Sequence, residues 1–174
     1  VQQGTGRWLS CLFLNGGLFP ETHNALLVQR LLLGRLGFLV RHAFSKASMR
    51  KSFDRVFGPD TPTSDEELNA FWDLFTLDNG QRNLHRLIHY MTDRRINRER
   101  WLLALQQACC PIGLINGSVD PVSGEHMVAR FEELVGGEHF IRRLPAIGHY
   151  PQVESPLEVQ AYYLEFLAAM EPAG

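Results

Sequence analysis

Apolar and polar positions along the chain follow two successive regimes. Residues 8–14, Trp-Leu-Ser-Cys-Leu-Phe-Leu, are a short apolar run closed by Asn15-Gly16-Gly17, the pattern of a buried strand ending in a turn. From residue 24 the apolar positions recur at threes and fours. That spacing predicts a helix over 24–39, kinked or broken at Gly34 and Gly37, another over about 81–92 and a further one from about 97 until Pro111 stops the run. Residues 58–63, Gly-Pro-Asp-Thr-Pro-Thr, read as a loop. Ser64 with Glu67 three positions on forms a capping box that opens a helix through Leu68, Phe71, Trp72 and Phe75, and Asp78-Asn79-Gly80 closes it. After Pro111 the period changes: a buried strand at 111–117, a helix at 125–135, a strand at 139–144 and an amphipathic helix at 157–170. Strand, helix, strand, helix is the unit of a parallel sheet, so the expected fold class is α/β. The plan is one strand, a long helical insertion and a βαβα tail, with no internal repeat and no low-complexity segment.

Composition narrows this further. The 174 residues, 45% hydrophobic and 21% charged, suit one sizeable core. A net charge of −2 gives no reason to expect nucleic acid or an anionic membrane as partner. Two basic clusters, 41–55 and 94–100, are each interrupted by an acidic residue (Asp54, Glu99) and have helical spacing, which predicts solvated helix faces, with a docking surface as the alternative. Cys11 in an apolar run and Cys109-Cys110 before Pro111 make no disulfide framework; burial at a strand entrance and a reducing, cytoplasmic compartment are expected. Residues 1–6 lack the pattern of a signal peptide, and the early entry into an apolar strand without an initial Met is what a piece of a longer chain would show. The most apolar stretch, 26–40, carries Arg30 and Arg35 and is too short and charged to span a bilayer; covering a pocket is open to it, with contact at a membrane surface as the less favoured alternative.

In open parallel sheets the reactive groups sit on loops at the carboxyl ends of the strands. Two loops qualify: Gly117-Ser118-Val119-Asp120-Pro121 and Pro145-Ala146-Ile147-Gly148-His149-Tyr150-Pro151. Parallel strands joined by one helix bring Asp120 and His149 to the same sheet edge, within reach of a hydrogen bond. A carboxylate on one imidazole nitrogen fixes the tautomer and leaves the other nitrogen as general base, which is the second half of a catalytic triad. Acid before histidine is also the chain order of the α/β-hydrolases.

The two loops resemble the acid and histidine loops of that superfamily, the second continuing through Gln152-Val153-Glu154-Ser155-Pro156. Residues 14–23, Leu-Asn-Gly-Gly-Leu-Phe-Pro-Glu-Thr-His, and 57–64, Phe-Gly-Pro-Asp-Thr-Pro-Thr-Ser, are similar to segments of the mesoderm-specific-transcript-like hydrolases, relatives of epoxide hydrolases and haloalkane dehalogenases. The resemblance implies an α/β-hydrolase fold represented by its C-terminal portion: a core strand at 1–20, an inserted helical cap at 21–105, and a C-terminal βαβα part at 106–174. No strand-to-helix elbow centred on Ser, Cys or Asp stands anywhere in the chain, so the N-terminal strands and the nucleophile are expected to be absent from it. The implied activity of a parent protein is hydrolysis of a small, largely apolar substrate (epoxide, haloalkane or ester) without metal or organic cofactor. His149 would be the base and Asp120 its partner. An Asp nucleophile forming an alkyl-enzyme ester follows from the resemblance, with Ser as the runner-up. A non-catalytic remnant serving as an interaction module is the reading from a different class.

Three further residues are candidates for substrate binding. Asn15 ends the first strand at the same edge and suits a substrate oxygen or a halide, or simply a turn. Tyr90 suits polarisation of an epoxide oxygen, or packing. Trp72, with Phe71 and Trp101, suits either the core of the cap or the pocket wall. His85 and His89 have the i, i+4 spacing of a metal pair without the Glu of a zinc protease motif or a third ligand.

Overall fold

The computed structural model describes residues 8–25, 27–34, 37 and 44–170. Three strands, β1 (Cys11–Leu14), β2 (Ile112–Gly117) and β3 (Phe140–Leu144), form a parallel sheet in the order β1-β2-β3. The register pairs Cys11 with Ile112 and Leu14 with Ile115, while Gly113 pairs with Phe140 and Gly117 with Leu144. β1 is shorter than the predicted 8–14. Its ladder cannot extend past the start of β2, so Trp8 and Leu9 lie outside it and are exposed. β2, between two neighbours, is buried at every position, as a central parallel strand requires.

Alternation along β2 feeds two cores. Leu114 packs with Phe19, Met127, Val128 and Phe131 on one face, against α7 (Glu125–Val135). Ile115 packs with Leu144, Ile147 and Val159 on the other, against α9 (Pro156–Ala168). Burying one such large side chain contributes roughly 1.5–3 kcal/mol, which is why the βαβα tail holds its register. The short helix α8 (Pro151–Glu154) directly follows the histidine loop.

Between β1 and β2 run α1 (Leu27–Leu33), α2 (Lys46–Val56), α3 (Asp65–Thr76), a 3-10 segment (Leu77–Asn83), α4 (Leu84–Leu87), α5 (Tyr90–Ile96) and α6 (Arg98–Gln106). The Ser64–Glu67 capping box opens α3 as predicted. A second box, Ser45 with Ser48, opens α2. The predicted helix over 81–92 is instead divided between α4 and α5. Asp78 and Asn79 take left-handed φ values of 50° and 59°, and Ile88 and Met91 turn onto Leu32 of α1, so tertiary packing overrides a continuous helical pattern. The part of the 24–39 helix and of the 26–40 apolar stretch at 26, 35–36 and 38–40, and the basic cluster's residues 41–43, lie outside the described residues. No helix among those described is long and apolar enough to cross a membrane.

Two expectations need correction. Cys109 is exposed and Cys110 only half-buried, because the turn before Pro111 precedes the covered part of β2. Arg94 does not sit on a solvated face: α5 turns it inward, to 8% exposure. Arg98 behaves as expected of a surface cation, pairing with Glu21 at 2.5 Å and with Glu99.

The insertion is anchored to the strand ends. Met49, Phe53, Val56 and Phe57 pack with Leu68 and with Val122 of the loop after β2. Phe53, Phe57 and Phe71 surround Tyr150, with ring centroids 5.6, 5.4 and 5.7 Å away. On the opposite flank Glu21 joins Arg98 of α6 to Arg130 of α7.

Candidate active site

Asp120 and His149 meet at the carboxyl ends of β2 and β3. His149 Nδ1 lies 2.7 Å from Asp120 Oδ2. Asp120 is held at the end of β2 by a turn in which its carboxylate accepts from the Val122 amide (2.8 Å), the Ser123 amide (3.0 Å) and the Ser123 hydroxyl (2.8 Å). The Asn15 amide nitrogen donates to the same oxygen at 3.1 Å. Burial by itself would raise the carboxyl pKa, but the hydrogen bond and charge of His149, with the Val122 and Asn15 donors, outweigh it and hold the group below its ordinary value. Asp120 is therefore a buried carboxylate, 2% exposed, ionised and oriented.

The histidine loop is fixed with equal care. The His149 amide donates to Val56 O at 2.8 Å, so the end of α2 clasps it. Glu154 of α8 accepts from the amides of Gly148 (2.8 Å), Tyr150 (2.9 Å) and Gly58 (2.7 Å), and from the Thr61 hydroxyl (2.7 Å). Gly148 is required by close approach: a Cβ there would lie 2.2 Å from Val56 O.

With Nδ1 committed to Asp120, Nε2 is the nitrogen left for chemistry. The ring lines a cavity of about 250 Å³ whose walls include Asn15, His23, Phe53, Tyr90, Arg94 and Tyr150. Burial pushes the Tyr150 hydroxyl pKa up, and the Asp120 charge adds to this. A larger hollow, about 450 Å³, opens at the opposite ends of the strands beside Pro111, Gly136 and His139, and contains neither Asp120 nor His149.

The other sequence candidates separate. Tyr90 lines the cavity, its ring 5.1 Å from the Arg94 guanidinium. Asn15 also reaches it, but both ends of its amide are engaged: Oδ1 accepts from Gly117 N at 2.7 Å, while Nδ2 faces Gly117 O and Asp120. Its left-handed φ of 42° is one that Asn tolerates. Trp72 is not a wall residue; it packs on Phe44 and Phe75 within the insertion. Among the described residues no cluster of three or more His, Cys, Asp or Glu forms a metal site. Sequence reasoning missed Ser123, Glu154, His23 and Arg94. Ser123, three positions after Asp120 in Asp-Pro-Val-Ser, carried a turn-capping signal; His23 and Arg94 had none, since their roles depend on distant partners, and Glu154 joins two amides of its own loop to the distant Gly58 and Thr61.

No family model matches the chain. A mesoderm-specific transcript homolog of Bos taurus is 33% identical over 164 residues, covering 88% of this chain and 47% of that protein. LipZ of Mycobacterium tuberculosis, which carries the name of a hydrolase, is 32% identical over 142 residues, covering 82% and 49%. The chain spans about half the length of the curated relatives it matches. Among solved structures, a thermophilic esterase from Thermogutta terrifontis superposes with a TM-score of 0.68 at 17% identity, covering 94% of this chain and 57% of that one. A Klebsiella pneumoniae protein named as an epoxide hydrolase does so with 0.60 at 16%, covering 88% and 56%. The chain is related to the α/β-hydrolases, and its parallel sheet with its helices corresponds to the C-terminal portion of that fold.

Proposed function

We propose that this chain carries the general base and the acid of a hydrolase that works through a covalent intermediate, His149 and Asp120 acting on a small organic substrate in the cavity they border. The observation that carries the reading is the 2.7 Å contact between His149 Nδ1 and a fully buried, five-fold hydrogen-bonded carboxylate. Asp120 holds the imidazole in one orientation and stabilises its protonated form, so that Nε2 can accept a proton. The nucleophile belongs to the half of the fold that the relatives possess and this sequence does not contain. With Asp in that place, its carboxylate displaces the leaving group to form an ester; His149 Nε2 then takes a proton from water, and the resulting hydroxide attacks the ester carbonyl and releases the product alcohol. With Ser, His149 first takes the hydroxyl proton. The insertion between β1 and β2 acts as the cap: Phe53, Val56 and Tyr90 close the cavity from that side and exclude water.

The test is His149→Gln in the protein expressed from its complete reading frame. An Asp-nucleophile enzyme is expected to accumulate an alkyl-enzyme ester, visible by mass spectrometry as an adduct with a turned-over substrate. Unchanged turnover in the variant removes His149 from the mechanism. A wild-type protein that turns over no epoxide, haloalkane or ester favours the non-catalytic interaction module.

A further inference from the structure

The cavity beside His149 contains a cation that the proposed chemistry does not use. Arg94, on α5, is 92% buried, its side chain lodged against the backbone of Gly17, where a Cβ would lie 2.6 Å from Nη1. Its neighbours are the Tyr90 ring and phenol and the imidazole of His23, whose Nδ1 is 3.3 Å from Arg94 Nη1. No carboxylate among the described residues pairs with it, and the residues outside that description hold one acidic side chain, Glu171, in the sequence. The carboxylates nearest in role are occupied: Asp120 by its five donors, Glu21 by Arg98 and Arg130. Burial lowers the Arg94 pKa, a measure of what it costs to hold the charge there. A buried, unpaired guanidinium is among the costliest groups a fold can carry, and it stays charged regardless.

His23 supplies an independent observation. A guanidinium can only donate, so His23 Nδ1 is the acceptor of that contact, and the neutral ring must carry its proton on Nε2. Burial, with the Arg94 charge, lowers the His23 pKa and favours that neutral ring. Nε2 is buried with no close hydrogen-bond partner, and Gln29 beside the ring works against the lowering of its pKa. Arg94, with neutral partners but no carboxylate among the described residues, and His23, with Nε2 short of a partner, thus border the same cavity as His149.

We propose, resting on the hydrolase reading of this site, that its substrates carry a small anionic end, a carboxylate, bound by Arg94 and the Nε2–H of His23. The apolar remainder of the substrate lies against Phe53, Val56 and Tyr150. This deepens the expectation of a largely apolar substrate: the walls are apolar, but one end of the cavity calls for negative charge. Arg94 would anchor the substrate at a fixed distance from His149, converting binding energy into orientation.

The experiment compares equilibrium binding of 3-phenylpropionate with that of its uncharged isostere, 3-phenylpropionamide, by calorimetry in the protein expressed from its complete reading frame. The carboxylate is expected to bind at least tenfold more tightly than the amide. Arg94→Gln should abolish the preference and Arg94→Lys retain part of it. Equal affinities in the wild type, absence of carboxylate binding, or a preference that survives Arg94→Gln would overturn the proposal. The wild-type comparison stands even if a variant does not fold, and an Arg94 already neutralised by a carboxylate from elsewhere in the protein would reveal itself as equal affinities. His149→Gln separates the two readings, since it should lose turnover while keeping the preference for the carboxylate.

Discussion

Asp120 shows how much structure a single functional carboxylate requires. Four of its five donors, His149 among them, converge on Oδ2, and the fifth, the Val122 amide, engages Oδ1. Asp120→Asn cannot satisfy this arrangement: with its oxygen toward His149, its amide NH₂ faces the Val122 N–H, donor against donor. The variant is expected to lose about 1–3 kcal/mol of stability in thermal melts. Its turnover should fall about 10³–10⁴-fold if the carboxylate orients the base, as measured by steady-state kinetics. Asn15 gains its importance at the same scale. By bridging Gly117 and Asp120 it ties the end of β1 to the acid loop, a positioning role that its place in the sequence as a turn residue did not disclose.

At the scale of elements, the histidine loop is held less by its own strand than by its neighbours. Glu154 gathers the amides of Gly148 and Tyr150 on one side and Gly58 with Thr61 on the other, so one carboxylate couples the loop after β3 to the segment between α2 and α3. Hydrogen bonds to a charged group contribute about 1.5–3 kcal/mol each in favourable cases, and this group is half-buried. Glu154→Ala is expected to lower stability by about 2–3 kcal/mol in urea unfolding. It should also raise amide exchange at 57–61 and 146–150 together, while exchange in β2 stays unchanged. Protection lost in one segment alone would show that the two are not coupled.

The molecule as a whole is joined across its flanks by ion pairs whose pH dependence can be worked out. Hydrogen bonds and charge from Arg98, with help from Arg130, lower the Glu21 pKa to about 2 from an ordinary 4.5. A depressed carboxyl stabilises the fold fully above its unfolded value and loses that contribution as pH falls through the folded one. The stability difference between wild type and Glu21→Gln is therefore expected to be constant above about pH 5 and to vanish between pH 4.5 and 2, as measured by urea unfolding at stepped pH. Asp120, also depressed, adds acid sensitivity of the same sign. At this scale the sheet is asymmetric: among the described residues β1 pairs with β2 alone, in a chain that spans about half of its relatives.

Much of the fold was written in local pattern. The period change at Pro111, the capping box at Ser64 and the βαβα tail follow from short-range propensities and side-chain periodicity, which act over a few residues and so can be read one segment at a time. Parallel strands joined by one helix were also enough to place Asp120 and His149 on one edge. Tertiary structure alone decided the rest. The length of β1 depends on where β2 begins, and the division between α4 and α5 depends on packing against α1. The inward turn of Arg94, the unsatisfied nitrogen of His23 and the reach of Glu154 to Gly58 and Thr61 arise from groups tens of residues apart, whose meeting is set by register and burial rather than by neighbours in the chain.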